Sequence, residues 1–146
     1  MADKTTQKEQ QEQLVKLMKK WQKIEDESVE MSDDLMKQTK NPLVQIVLEI
    51  LKNDSIMHKK VEQFIIDSIT KKAVSLTPEE LADIWDSIEK HDEAEREAIK
   101  LGEEALKNTK NFVHSTLLAY LLEEEKKHDR LLGQLEGFKN RIYPYM

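Results

Sequence analysis

Residues 20–58 lie over residues 90–128 at a constant offset, with no gap. Lys20/Lys90, Glu25/Glu95, Glu27/Glu97, Lys37/Lys107, Thr39/Thr109, Lys40/Lys110, Asn41/Asn111, Leu48/Leu118, Leu51/Leu121 and His58/His128 are identical. Val29/Ile99, Met31/Leu101, Asp33/Glu103 and Asp34/Glu104 are conservative pairs. A shared helical bias produces a few such matches. It does not readily bring a Thr-Lys-Asn triplet, a glutamate and a histidine into one register. The chain reads as two copies of one helical hairpin, which restricts the fold more than any other feature.

The breaks between helices are legible. Thr39-Lys40-Asn41-Pro42 ends one helix and starts the next, with Asn41 as N-cap and Pro42 at the first helical position. Thr77-Pro78-Glu79-Glu80 is a capping box with proline at the first position. Asn108-Thr109-Lys110-Asn111 is the last break, and Pro144 stops further extension. The expected helices cover about 12–40, 42–70, 78–107 and 112–139, with residues 1–9 frayed. Four helices of this length in one domain over residues 1–146 make an all-α four-helix bundle built from two repeated hairpins. The composition agrees: 36% charged, 38% hydrophobic, 3 Gly and 3 Pro suit long helices with one apolar stripe each.

Other classes are disfavoured. A net charge of −6 gives no electrostatic reason to bind nucleic acid. No apolar run approaches a membrane span, and the polar start MADKTTQKEQQEQ has no signal-peptide core, so a cytoplasmic protein is expected. Without cysteine there are no disulfides, thiolate metal sites or cysteine nucleophiles. No Ser-His-Asp order or Gly-rich phosphate loop is visible.

Polar residues interrupt the apolar stripes. In Leu121–Leu132 the stripe reads Leu117, Leu121, Glu125 (with Glu124 at its edge), His128, Leu132. On the second helix it reads Val47, Leu51, Asp54, His58, Val61, Ile65. Glu25 falls on Met18-Trp21-Glu25-Ser28-Leu35, and Glu95 on Ile88-His91-Glu95-Ala98-Gly102. Glu25 and His58 stand at matching heights either side of their turn, as do Glu95 and His128. Two histidines and several carboxylates cannot stay charged and unpaired in a core. Their oxygen and nitrogen donors suit iron, manganese or zinc, and two adjacent ions would neutralise the carboxylates. The expected metal ligands are Glu25, Asp54, His58, Glu95, Glu124, Glu125 and His128, with His91 as an extra ligand or outer partner.

With these residues in place the chain resembles the ferritin-like, rubrerythrin-type diiron carboxylate proteins. In that family one helix of each hairpin gives a Glu and the next gives Glu-x-x-His. Glu25, Glu95 and Glu125-Lys126-Lys127-His128 match that pattern, and the likeness spans residues 12–138. The resemblance implies a dinuclear iron site. Glu25 and Glu95 would be terminal carboxylates, His58 and His128 the nitrogen ligands, and Glu125 a bridge, with Asp54 or Glu124 completing the set. It also implies iron oxidation, iron handling, or reduction of peroxide or oxygen, with an electron donor the sequence does not name. Three departures stand out. Ser55 occupies the position of the second helix's Glu, and there is no cysteine for a rubredoxin-like centre. The connection Lys72–Thr77 is too short for a full-length crossover unless the second helix ends near Phe64–Asp67. The alternative reading is a metal-free bundle serving as a structural or interaction module. The tail Arg141-Ile-Tyr-Pro-Tyr-Met146 offers aromatic residues for folding back or for a homodimer contact.

Overall fold

The computed structural model describes residues 6–74 and 76–142. All regular structure among them is helical: α1 (Gln7–Gln38), α2 (Pro42–Thr70), α3 (Pro78–Ala82), α4 (Trp85–Lys107) and α5 (Phe112–Ile142). The chain divides into two units, Met1–Val74 and Ser75–Met146. The first is the antiparallel hairpin of α1 and α2. The second holds α3 and the hairpin of α4 and α5.

Thr6 sets the start of α1, its hydroxyl accepting from Glu9 N at 3.2 Å. This cap places three residues expected to fray inside the helix. Asn41 caps α2 through Leu43 N at 2.9 Å and Val44 N at 3.3 Å. Gln45 Nε2 meanwhile donates to Met36 O and Thr39 O, both at 2.7 Å, which satisfies carbonyls at the end of α1. The turn between α4 and α5 repeats part of this wiring. The Thr39 and Thr109 hydroxyls accept from Asn41 N and Asn111 N, and Asn111 Oδ1 accepts from His114 N.

The second helix keeps its expected end and the third does not. The second helix is not shortened: α2 runs to Thr70, where the Ser68 and Thr70 hydroxyls donate back to Ile65 O and Ile66 O. The expected helix 78–107 is two helices. The capping box at Thr77 and Glu80 forms as read, but only the five residues of α3 follow it before a turn at Asp83–Ile84. No Gly or Pro marks that turn, and Leu81, Ile84, Trp85 and Ile88 keep a helical period across it. The tail residues 143–146 lie outside the described residues.

The seam of the first hairpin is not the apolar stripe. Met18, Glu25 and Ser32 of α1 are buried at a spacing of seven, as are Leu48, Ser55 and Glu62 of α2, followed by Ile66. A seven-residue period on both partners is the coiled-coil pattern. The more apolar rows beside it, including Leu17, Trp21 and Ile24 on α1 and Val47, Leu51 and Val61 on α2, stay exposed. In the second hairpin Leu122 is buried while its neighbour Leu121 is half exposed. A Cβ on Gly102 would stand 3.2 Å from Leu122 Cδ1, so a glycine here lets α4 and α5 approach closely.

Candidate metal centre

The second hairpin gathers the expected ligands. α4 presents His91 and Glu95 four residues apart, and α5 presents Glu125 and His128 three apart, so each pair shares a helix face. Glu95 is the hub, with only 12% of its side chain exposed. Its Oε1 meets His91 Nε2 at 3.1 Å, and its Oε2 lies 3.4 Å from His128 Nδ1. His128 Nδ1 is also 3.7 Å from Glu125 Oε2. One ligand atom each from Glu95, Glu125 and His128 falls within a mutual 4.8 Å.

Two ligands bound to one ion at ~2.1 Å stand roughly 3–4 Å apart, so this trio is close to a coordinating geometry. One oxygen supports the fit. Glu95 Oε2 is buried, and the His128 nitrogen beside it does not reach hydrogen-bond geometry. A cation there would satisfy it.

The carboxylates are electrostatically unequal. The hydrogen bond Glu125 shares with Glu95 pushes Glu125 above the usual range, with burial and the Glu95 charge adding to it. The same bond holds Glu95 below the usual range, against burial and with help from the charge of His128. The opposite shifts leave Glu125 the more readily protonated of the two, and a divalent cation would compete for the same oxygens. One turn along, Asp92 and Asp129 form a second such pair. Their shared hydrogen bond raises Asp92 and lowers Asp129. Arg96 clamps both, at 3.0 Å to Asp92 Oδ2 and 3.4 Å to Asp129 Oδ1. Glu124 turns aside to Lys127 Nζ at 2.7 Å.

The first hairpin brings together fewer of the expected residues. Glu25 is buried, and its Oε1 lies 3.4 Å from His58 Nδ1. Asp54 is half-buried and makes no hydrogen bond or ion pair among the described residues. Ser55, at the position of Glu125, is buried and donates to Ser28 Oγ across the seam at 3.0 Å. The carboxylate that does join Glu25 is Glu62, one turn beyond His58 and absent from the sequence reading. It is 5% exposed, its buried Oε1 accepts no hydrogen bond, and it lies beside Glu25. Burial, and then the charge of Glu25, push Glu62 above the usual carboxylate range. The available signal was the i,i+4 spacing from His58. The repeat does not reach Glu62, since the matching span ends at His58 and Leu132 stands at the same offset in the other hairpin.

No family model, curated protein or solved structure matches this chain. No helix among the described residues is long and apolar enough to cross a membrane.

Proposed function

We propose that the chain is a ferritin-like metal-binding protein whose two hairpins form one four-helix bundle around a dinuclear carboxylate and histidine centre. The observation that carries this reading is the convergence of Glu95, Glu125 and His128, with a buried glutamate oxygen left for a cation. The open apolar rows beside the seams, such as Leu17, Trp21 and Ile24 in the first hairpin and Leu101 and Leu131 in the second, support further helix packing.

Glu95, Glu125 and His128 would hold one ion, with His91 orienting or supplementing Glu95. Glu25 and His58 would contribute to the other. The harder oxygen donors with imidazole favour iron, and manganese or zinc fit the same set. A ferrous pair held this way supplies reducing equivalents for oxygen or peroxide. Around it the protein's own groups set the charge. Glu125 is the readier of its pair to take up a proton, and Arg96 balances Asp92 and Asp129 one turn away.

Two measurements on one preparation test this. Protein purified from iron-replete cells without chelator should contain one to two irons per chain. Once reduced, it should consume peroxide in proportion to that iron. Protein that takes up no iron, manganese or zinc contradicts the reading. It would favour the competing one, a metal-free structural or interaction module, which the seam bond between Ser55 and Ser28 in place of a glutamate supports.

A further inference from the structure

Glu62 stands apart from the rest of the first hairpin's seam. Buried carboxyl groups are normally hydrogen-bonded, and an unsatisfied one costs about 1–3 kcal/mol. Met18 and Leu48 show that this seam accepts apolar side chains, and Leu132 occupies the matching position in the other hairpin. A charged group in such a seam calls for a partner.

The groups around it are suited to one. Glu25 is equally buried and touches Glu62, and His58 Nδ1 lies 3.4 Å from Glu25 Oε1. No Lys or Arg ion-pairs with Glu25 or Glu62 among the described residues; the nearby Lys59 is drawn off by Asp26 at 2.7 Å. The cluster therefore has two buried carboxyl groups, one half-open imidazole and a buried oxygen accepting no bond. It is looser than the trio of the second hairpin, since Glu25, His58 and Glu62 do not bring one ligand atom each within a mutual 4.8 Å. A cation entering it would draw the carboxylates together and offset their mutual repulsion.

Resting on the proposed metal-binding reading, we infer that Glu62 is the second carboxylate ligand of the first hairpin. It supplies from the far side of His58 what Ser55 cannot supply from the near side. The first ion is then held by Glu25, His58 and Glu62. Asp54, the residue expected from the sequence, has no part in it. The site takes a divalent cation with mixed oxygen and nitrogen preference, of the Fe2+, Mn2+ or Co2+ type.

The test is an anaerobic Co2+ titration of the full chain, followed by the visible spectrum of the bound ion and by thermal unfolding with and without Co2+. The wild type should bind two Co2+. Glu62→Gln, which keeps the side chain's shape, should weaken one of them at least roughly tenfold and change its spectrum. The metal-free Glu62→Gln protein should unfold no lower than the wild type, which shows that the loss is not misfolding. Glu125→Gln should remove the other ion, and Asp54→Asn should remove neither. Two Co2+ bound with unchanged affinity and spectrum in Glu62→Gln would overturn the assignment. So would a wild type that binds one ion, lost in Glu125→Gln and untouched in Glu62→Gln; that result would leave the second hairpin's site standing. No Co2+ bound to the wild type at all would overturn both.

Discussion

The two hairpins each place a glutamate oxygen and a histidine Nδ1 across the seam at the same distance. Glu25 with His58 and Glu95 with His128 each meet at 3.4 Å. Around that common pair everything else diverges. The second hairpin puts its further carboxylate three residues before the histidine, the first four residues after it. The second adds His91 where the first has Trp21. Beside the site each hairpin carries an interhelical ion pair at matching positions with the charges exchanged. Asp26 of α1 meets Lys59 of α2 at 2.7 Å, and Arg96 of α4 meets Asp129 of α5 at 3.4 Å. The glutamate–histidine pair is thus the element the two hairpins share. Its surroundings are what each hairpin solves separately.

The largest effect that would break this comparison is loss of metal. His128→Ala should remove an ion from the second hairpin, because the trio contains no other nitrogen. His91→Ala should only weaken that ion, because His91 touches Glu95 on its other oxygen. Metal content after desalting reads both. Equal losses would make His91 a full ligand and widen the difference between the two hairpins.

Stability of the metal-free protein sharpens the contrast next. Glu62 has a raised folded-state pKa, so its contribution is favourable below the ordinary carboxylate range and is lost as pH rises through the higher folded value. Glu62→Gln should therefore stabilise the metal-free chain by about 1–3 kcal/mol near neutral pH and flatten its decline with rising pH. Glu95, with a lowered pKa, has the opposite sign. It contributes above the ordinary range, and that contribution is lost as pH falls through the lower folded value. Glu95→Gln should thus lower stability near neutral pH. Urea melts across a pH series would show the two opposite slopes. Parallel slopes would mean that the two seams treat their carboxylates alike.

Exchanged charges should give the smallest effect. Asp26→Arg or Lys59→Asp alone should cost about 0.2–1 kcal/mol, and the double substitution, which gives the first hairpin the second's polarity, should recover most of it. A double variant as unstable as the sum of its singles would show that the two ion pairs are not equivalent.

Much of the local architecture was legible in the sequence because it rests on short-range chemistry. Asn41, Pro42 and the Thr77–Glu80 box cap helices as their side chains require. The face that each helix buries was harder to read. The most apolar row of α1, through Leu17, Trp21 and Ile24, is left exposed, while Met18, Glu25 and Ser32 form the seam. A hydrophobic stripe shows where a helix packs best, not which of two neighbouring rows meets its hairpin partner. The repeat singled out Glu25, His58, Glu95 and His128, which meet across their seams, while Glu125 came from the Glu-x-x-His pattern. Glu62 lies beyond the repeated span 20–58, and Leu132 stands at its place in the other hairpin, so the repeat does not point to it. A duplicated pattern finds what both halves retain and is blind to what one half has relocated.

The proposed metal centre at Glu95, Glu125 and His128 is open to direct measurement. The most direct measurement is anaerobic Fe2+ binding by equilibrium dialysis, with wild type beside the Glu125→Gln, His128→Ala double variant. The wild type should hold at least one tightly bound ion per chain, and the variant, still fully helical by circular dichroism, at least one fewer. Equal iron in the two proteins, or none in either, would contradict it.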